Sequence, residues 1–381
     1  MKMLKNVRAY IPDLGIVRTD IQFENGIVTS IGKSTATDAL TLPEDAIVLP
    51  GFIDEHIHGA CGSDAMDGTF VALEQISRTL AKEGTTAFLA TTMTQSNDLI
   101  KLALGTAGNY IATEKHAGAE LLGVHLEGPF ISKNYIGAQP PEHIQLPTVE
   151  RFEEYQRAAD GKIKMVSLAP EIDGACELIS YLQKNGVRAS AGHSGAGYEE
   201  MMRALENGLS TVTHTYNAQS GVHHREIGVV GTAMLCDELY TELICDTIHV
   251  SVPAIKLMLK NKPKDKVILV TDSMRAKGLA DGVSELGGQT VYVKNGEARL
   301  ENGALAGSVL RMNDAIRNLV TQVGVPLETA VDFATINPAK HLGIDHERGS
   351  ITVGKRADFA VLNSDFDVLF TIVGGEIIYQ K

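Results

Sequence analysis

Short apolar runs recur along the chain, and between them the apolar positions switch to helical spacing. VLPGFIDEHIH, TTAFLATT, LLGVHLEG, KMVSLAP, VRASAGH, TVTHTY, LICD and KVILVTD are bounded by polar or glycine-containing turns and predict eight strands. TFVALEQISRTLAKEG, ACELISYLQKNG, GYEEMMRALENG and SVPAIKLMLKNK lie between strand candidates and predict helices. KEG, KNG and ENG place a glycine just past the last helical turn, with a cation in that turn in the first two. Eight β/α alternations point to a closed parallel barrel. An open doubly wound sheet shares the alternation, and spacing alone does not separate the two.

The two ends of the chain follow another period. KNVRAYIP, GIVRTDIQFENGIVTSIG and AIVLP at the start read as strands joined by turns, with ENG as a tight-turn signal. GSITVGKRADFAVLNSDFDVLFTIVGGEIIYQK at the end has the same character, with its turn at VGGEI. Both ends therefore predict one small β domain assembled from the two termini. After the eighth strand, QTVYVKNGEARLENGALAGS carries a hairpin signal at Asn295-Gly296 and reads as an insertion near the barrel mouth. Helices are expected from VLRMNDAIRNLV to LETAVDFATINPAKHLG.

Composition narrows the function classes. With 381 residues and 44% hydrophobic content the chain has room for a large α/β barrel and a smaller unit. A net charge of −13 argues against nucleic-acid binding, which needs a basic face. Cys61, Cys176, Cys236 and Cys245 are scattered without a CxxC pair, as expected of reduced thiols in the cytoplasm. The start MKMLKNVRAYIPDLG has no apolar leader, and no run approaches the ~18 apolar residues of a membrane span. A cytoplasmic protein with no membrane partner is the expectation.

In such a barrel, reactive groups gather at the C-terminal ends of the strands. The first strand candidate ends with His56 and His58, two residues apart and so on one face. Glu127 ends the third, His193 follows the fifth, His214 lies on the sixth and Asp272 ends the eighth. Imidazole with carboxylate is a ligand set for zinc, iron, cobalt or manganese, and there are enough donors for one or two divalent ions. Asp272 is placed to act as general base and acid in a hydrolysis. Asn217, His223, His224 and Arg225 cluster in the loop after the sixth strand, and Arg with His is a natural anion grip. His249, after the seventh, is expected at the same pocket. No GxGxxG or GxxxxGK[ST] occurs, so a nucleotide loop is not expected.

PGFIDEHIHG, GVHLEGPF, AGHS, THTYNA, DTIHV, LVTDSM and LAGS together resemble the N-acetylglucosamine-6-phosphate deacetylases of the amidohydrolase superfamily. The tail GSITVGKRADFAVLN resembles the superfamily's return to its small domain. The resemblance implies a (β/α)8 TIM barrel over residues 51–346 and a small β-sandwich from 1–50 with 347–381. It implies hydrolysis of the acetamide of N-acetyl-D-glucosamine 6-phosphate. Matched motif by motif, Glu127, His193 and His214 would hold one metal and His56 and His58 a second, with Asp272 as acid and base. Ala138, Gln139, Asn217, Ala218, Arg225, His249, Leu305, Ala306 and Gly307 would contact the sugar phosphate. In the resemblance the protein is a homodimer, and Arg225 serves the neighbouring subunit. Two departures stand out: Ile227 follows Glu226 where a proline is common, and Gln139 stands where some members have histidine.

Overall fold

The structure is a computed structural model and describes residues 2–34, 39–113 and 117–381. Phe52–Ile57, Thr85–Thr91, Glu120–Glu127, Ile163–Leu168, Arg188–Ala191, Leu209–Val212, Tyr240–Ile244 and Val267–Val270 pair in chain order as one parallel sheet of eight strands. Helices cover its outer face, so every position of the second and eighth strands is buried, as a parallel sheet requires. The first and eighth strands meet just past their C-terminal ends. There Asp272 N donates to His56 O at 2.8 Å and His58 N to Ser273 O at 2.9 Å. Asp54, on the same face as His56, accepts from Thr271 Oγ1 across this seam at 2.6 Å. The barrel therefore closes through the residues that carry its candidate chemistry.

The helix Phe70–Ala81 shows how local sequence builds the outer shell. Thr69 Oγ1 caps it by accepting from Ala72 N at 3.2 Å. Leu73, Ile76 and Leu80, at helical spacing, enter the cluster that holds Phe88 of the second strand. Glu74 and Arg78 pair on its outer side at 3.0 Å. Truncating Leu80 to alanine would cost about 2–5 kcal/mol, since it is wholly buried.

The run VLPGFIDEHIH divides between two sheets. Ile47–Pro50 belongs to the terminal sheet and Phe52–Ile57 to the barrel, because the hydrogen bonds change partner at Gly51. Gly51 N donates to Asp358 O at 2.9 Å and Phe52 N to Gly84 O at 3.1 Å. A Cβ at Gly51 would lie 2.2 Å from Thr86 Oγ1, so the crossing needs glycine. The terminal sheet has seven strands, in the order Glu376–Gln380, Val368–Val373, Phe359–Leu362, Ile47–Pro50, Lys2–Ile11, Gly15–Glu24, Ile27–Ile31. It curls over itself: Phe23 and Phe359, three strands apart, meet edge to face at 5.7 Å. Ala357 N reaches Gly26 O at 2.7 Å. Both termini thus enclose one small β core.

Two elements differ from the sequence expectation. The sixth strand stops at Val212, because the His214 N–H turns away from the ladder to the Glu242 carboxylate at 2.9 Å. The insertion holds three strands, Gly282–Leu286, Gln289–Lys294 and Glu297–Leu300, where one hairpin was expected. The additional strand, GVSEL, is largely exposed and has little apolar alternation to announce it. Gln289 Nε2 ties this hairpin to Ala138 O at 2.6 Å, over the barrel mouth.

Candidate metal centre

Six side chains converge where the strands end. His214 Nε2 lies 3.1 Å from Glu127 Oε1 and 3.2 Å from His193 Nε2, and His193 Nε2 lies 3.2 Å from the same oxygen. On the other side, His58 Nε2 is 3.3 Å from Glu127 Oε2 and 3.2 Å from Asp272 Oδ1. His56 Nε2 is 3.5 Å from Glu127 Oε1 and 3.4 Å from Asp272 Oδ1. All six residues are nine-tenths or more buried. Glu127 is common to both groups and offers one oxygen mainly to each.

The backbone is bent to achieve this. His193, His214 and Asp272 take φ of 49°, 29° and 46°, a left-handed conformation that L side chains resist at about 1–2 kcal/mol each. Such strain persists only where surrounding contacts enforce it, and it clusters at functional sites. His193 Nδ1 donates to Tyr135 O at 2.9 Å, which leaves Nε2 facing Glu127. His56 Nδ1 meets Glu242 Oε2 at 2.9 Å, and its buried Nε2 has no hydrogen-bond partner.

These donors fit a divalent cation. Ligands at the corners of a tetrahedron with ~2.0–2.1 Å bonds stand roughly 3.3 Å apart, close to the 3.1–3.2 Å edges of Glu127, His193 and His214. Two imidazole nitrogens 3.2 Å apart repel through their lone pairs unless a cation or proton lies between them. Burial lowers the affinity of His56 for a proton, but Glu242, Asp272 and Glu127 outweigh it and push its pKa up to about 9. His58 is likewise raised against its burial by bonds to Asp272 and Glu127. Burial raises Asp272, yet His56, His58 and His214 bring it down to about 2. The cluster thus attracts positive charge to its centre, as protons or as metal.

The centre floors a cavity of about 440 Å³, lined by His58, Glu127, His193, His214 and Asp272 and, higher up, by Ala138, Gln139, Asn217, Ala218, His249, Leu305 and Gly307. His56 lies beneath this surface, wholly buried. Ala306 does not line the cavity; it packs with Met274 and Ala298 inside the hairpin's own core. Arg225 is exposed on the loop after the sixth strand and bonds His224 Nε2 at 2.7 Å, away from this chain's cavity. Gln139 is held on both sides: Nε2 donates to Glu127 Oε2 and Oε1 accepts from Thr94 N, each at 2.7 Å. Its amide is therefore engaged with a metal-centre carboxylate as well as facing the cavity.

Three residues escaped the sequence reading. Glu242 sits inside the seventh strand, in TELICD, where an acidic residue looks like a polar edge position. Asp246 fixes His249, with its Oδ2 2.6 Å from Nδ1; DTIH spacing was the available signal. His125 presents its ring edge to His56 at 4.6 Å and bonds Ser167 Oγ through Nε2 at 2.7 Å. Burial and the neighbouring His56 charge hold His125 far below the usual imidazole range. His56, His125 and Glu242 also bring donor atoms close together. With His56 Nδ1 and His125 Nε2 already engaged, that trio supports the centre from below.

Residues 47–378 match the model of the amidohydrolase family. The N-acetylglucosamine-6-phosphate deacetylase of Bacillus subtilis is 44% identical over 97% of this chain and 96% of its own. The solved structure of the deacetylase of that name from Thermotoga maritima superposes with a TM-score of 0.90 at 37% identity, covering 100% of both chains. A mutant of the Mycobacterium smegmatis N-acetyl-D-glucosamine-6-phosphate deacetylase, solved in complex with N-acetyl-D-glucosamine-6-phosphate, superposes with a TM-score of 0.93 at 27% identity, covering 100% of this chain and 99% of its own. With its barrel, its strand-end histidines and carboxylates and these relatives, the chain belongs to the amidohydrolase family, among the N-acetylglucosamine-6-phosphate deacetylases.

Proposed function

We propose that this protein hydrolyses the acetamide of N-acetyl-D-glucosamine 6-phosphate to D-glucosamine 6-phosphate and acetate. The observation that carries the reading is the pair of histidine–carboxylate groups at the floor of the cavity, Glu127 with His193 and His214 and Asp272 with His56 and His58, with Glu127 within 3.5 Å of both histidines of the second. Glu127, His193 and His214 would hold one divalent ion, and His56 and His58, beside Glu127 and Asp272, a second. A bound divalent ion supplies Lewis acidity towards the amide oxygen and acidifies water.

Asp272 accepts the proton of the attacking water, a role suited to a carboxylate held ionised among imidazoles. Oxygen of that water bonds to the acetyl carbon. The proton then passes from Asp272 to the sugar nitrogen, the C–N bond breaks, and amine and acetate leave. Gln139 keeps Glu127 oriented while its neighbour Ala138 lines the sugar side. Asn217, Ala218, His249, Leu305 and Gly307 form the substrate wall in this reading, with Ala306 packed behind it in the hairpin core. Asp246 orients the His249 ring towards it. Arg225, exposed and outside the cavity of its own chain, reaches the phosphate in the neighbouring subunit of a cytoplasmic homodimer.

Acetate release is to be measured with the phosphorylated and the unphosphorylated sugar, with zinc, iron, cobalt or manganese added. Fast turnover of the phosphorylated sugar and much weaker turnover of the other is the expected result. Equal rates on both would overturn the phosphate grip, and no acetate from either would overturn the reaction.

A further inference from the structure

We infer that Glu242 is a positioning residue that sets the cation affinity of the His56–His58 position and ties that position to the Glu127–His193–His214 group. The inference rests on the metal-centre reading above. Glu242 is wholly buried on the seventh strand, and among the described residues no lysine or arginine pairs with it. A carboxylate kept in such a place is costly unless another group uses its charge, and here that group is the His56 imidazole.

One oxygen does two things. Glu242 Oε2 takes the Nδ1–H of His56 at 2.9 Å, which leaves Nε2 bare and aimed at Asp272 and Glu127. The same oxygen takes the backbone N–H of His214 at 2.9 Å, at the residue whose φ of 29° directs its ring to His193. A single atom therefore joins the side chain of one group to the backbone of the other.

The two attachments are not equally replaceable. Around His214 the backbone is also held by Asn217 N on His214 O at 3.0 Å and by Thr213 N on Ala191 O at 2.9 Å. His56 Nδ1, by contrast, has Glu242 Oε2 as its one hydrogen-bond partner among the described residues, and the Nε2 of the neighbouring His125 is bound to Ser167 Oγ. A histidine ligand whose outer nitrogen loses its carboxylate typically loses about 10–100-fold in metal affinity. Loss of the Glu242 charge should thus weaken the His56–His58 position far more than the other.

The test is a titration of metal-stripped wild type, Glu242→Gln and Glu242→Ala with cobalt(II), read as bound metal per chain and as the cobalt absorption spectrum. Wild type should bind two ions. Glu242→Gln, which keeps the shape and one acceptor oxygen, should retain one ion with affinity within about threefold and bind the second roughly 10–100-fold more weakly, with its melting temperature little changed. Glu242→Ala should lose more of the second ion, and His56→Asn should reproduce the same selective loss. Two ions bound by Glu242→Gln as in wild type would overturn the inference. So would loss of both ions together with the fold in Glu242→Gln, since Glu242 would then be structural. A wild type that binds a single ion overturns the inference but leaves the metal centre standing; one that binds none overturns the centre as well.

Discussion

The barrel mouth and the shell around the barrel both bury charge, but they arrange it in opposite ways. In the shell, Lys277 Nζ sits 3.0 Å from Glu83 Oε2 with both residues buried, and Glu83 also takes Met312 N. Arg348 bonds Asp358 at 3.1 Å and Glu120 at 2.6 Å, and His341 Nδ1 bonds Glu55 at 2.9 Å. Each donor there points at an acceptor, and the charges compensate one another in pairs or, at Arg348, in a small network shared with Arg356. At the mouth, imidazole nitrogens and carboxylate oxygens point at common centres, nitrogen faces nitrogen at 3.2 Å, and His56 Nε2 is left over. Burial of charge therefore does not mark a site. Convergence on a shared point beneath a cavity does.

The contrast can be broken from either side. The largest effect is expected for Asp272→Asn, which keeps the volume and removes the proton acceptor. Turnover should fall about 10⁴-fold, measured as acetate release; activity within tenfold of wild type would remove Asp272 from the reaction. Next comes Lys277→Met, which leaves Glu83 buried and uncompensated. It should cost about 3–5 kcal/mol of stability in denaturant unfolding while bound metal per chain stays at the wild-type value. A further Glu83→Leu change should recover part of that loss, because the pair can be replaced by apolar packing while Asp54 still lacks the Lys277 charge. Failure of the second change to recover stability would place Glu83 and Lys277 in the same class as the mouth.

The smallest effect is a pH slope that arises at the mouth. His56 is raised to about 9, so its pairing stabilises the metal-stripped fold fully below its ordinary value of about 6.5 and is lost as pH rises through 9. Asp272 is lowered to about 2, so its contribution is present above its ordinary value of 3.8 and is lost as pH falls through 2. Between pH 6.5 and 9 the melting temperature of the metal-stripped protein should fall. The metal-loaded protein should not follow, since the cation occupies the place of the protons. The Arg348 cluster adds no slope there, because a guanidinium keeps its proton throughout. Parallel curves for the two forms would erase the distinction between the regions.

Much of this was legible along the chain because it follows from local periods. Strand-length apolar runs and helical repeats set the eightfold β/α alternation, and the turn pairs Asn25-Gly26 and Asn295-Gly296, with φ of 51° and 79° and of 53° and 82°, set two hairpins. His56, His58, Glu127, His193, His214 and Asp272 could be picked out because strand ends in a barrel share one rim. The additional strand GVSEL, the break of one apolar run at Gly51 and the early end of the sixth strand were not readable. Two of these depend on a hydrogen-bond partner distant in sequence, Asp358 for Gly51 and Glu242 for His214, whereas GVSEL pairs with the adjacent strand Gln289–Lys294 and is hidden by its weak apolar alternation.

By itself, then, the sequence determined which residues line up along each strand and which chemistry they bring to its end, since side-chain direction in a strand alternates with a period of two. Tertiary structure alone decided how they are used. It turned the Gln139 amide onto Glu127, put Ala306 into the hairpin core, left Arg225 facing outwards, and set Glu242 beneath His56 and His214. Those outcomes depend on which nitrogen meets which oxygen within about 3 Å, and no local period carries that information.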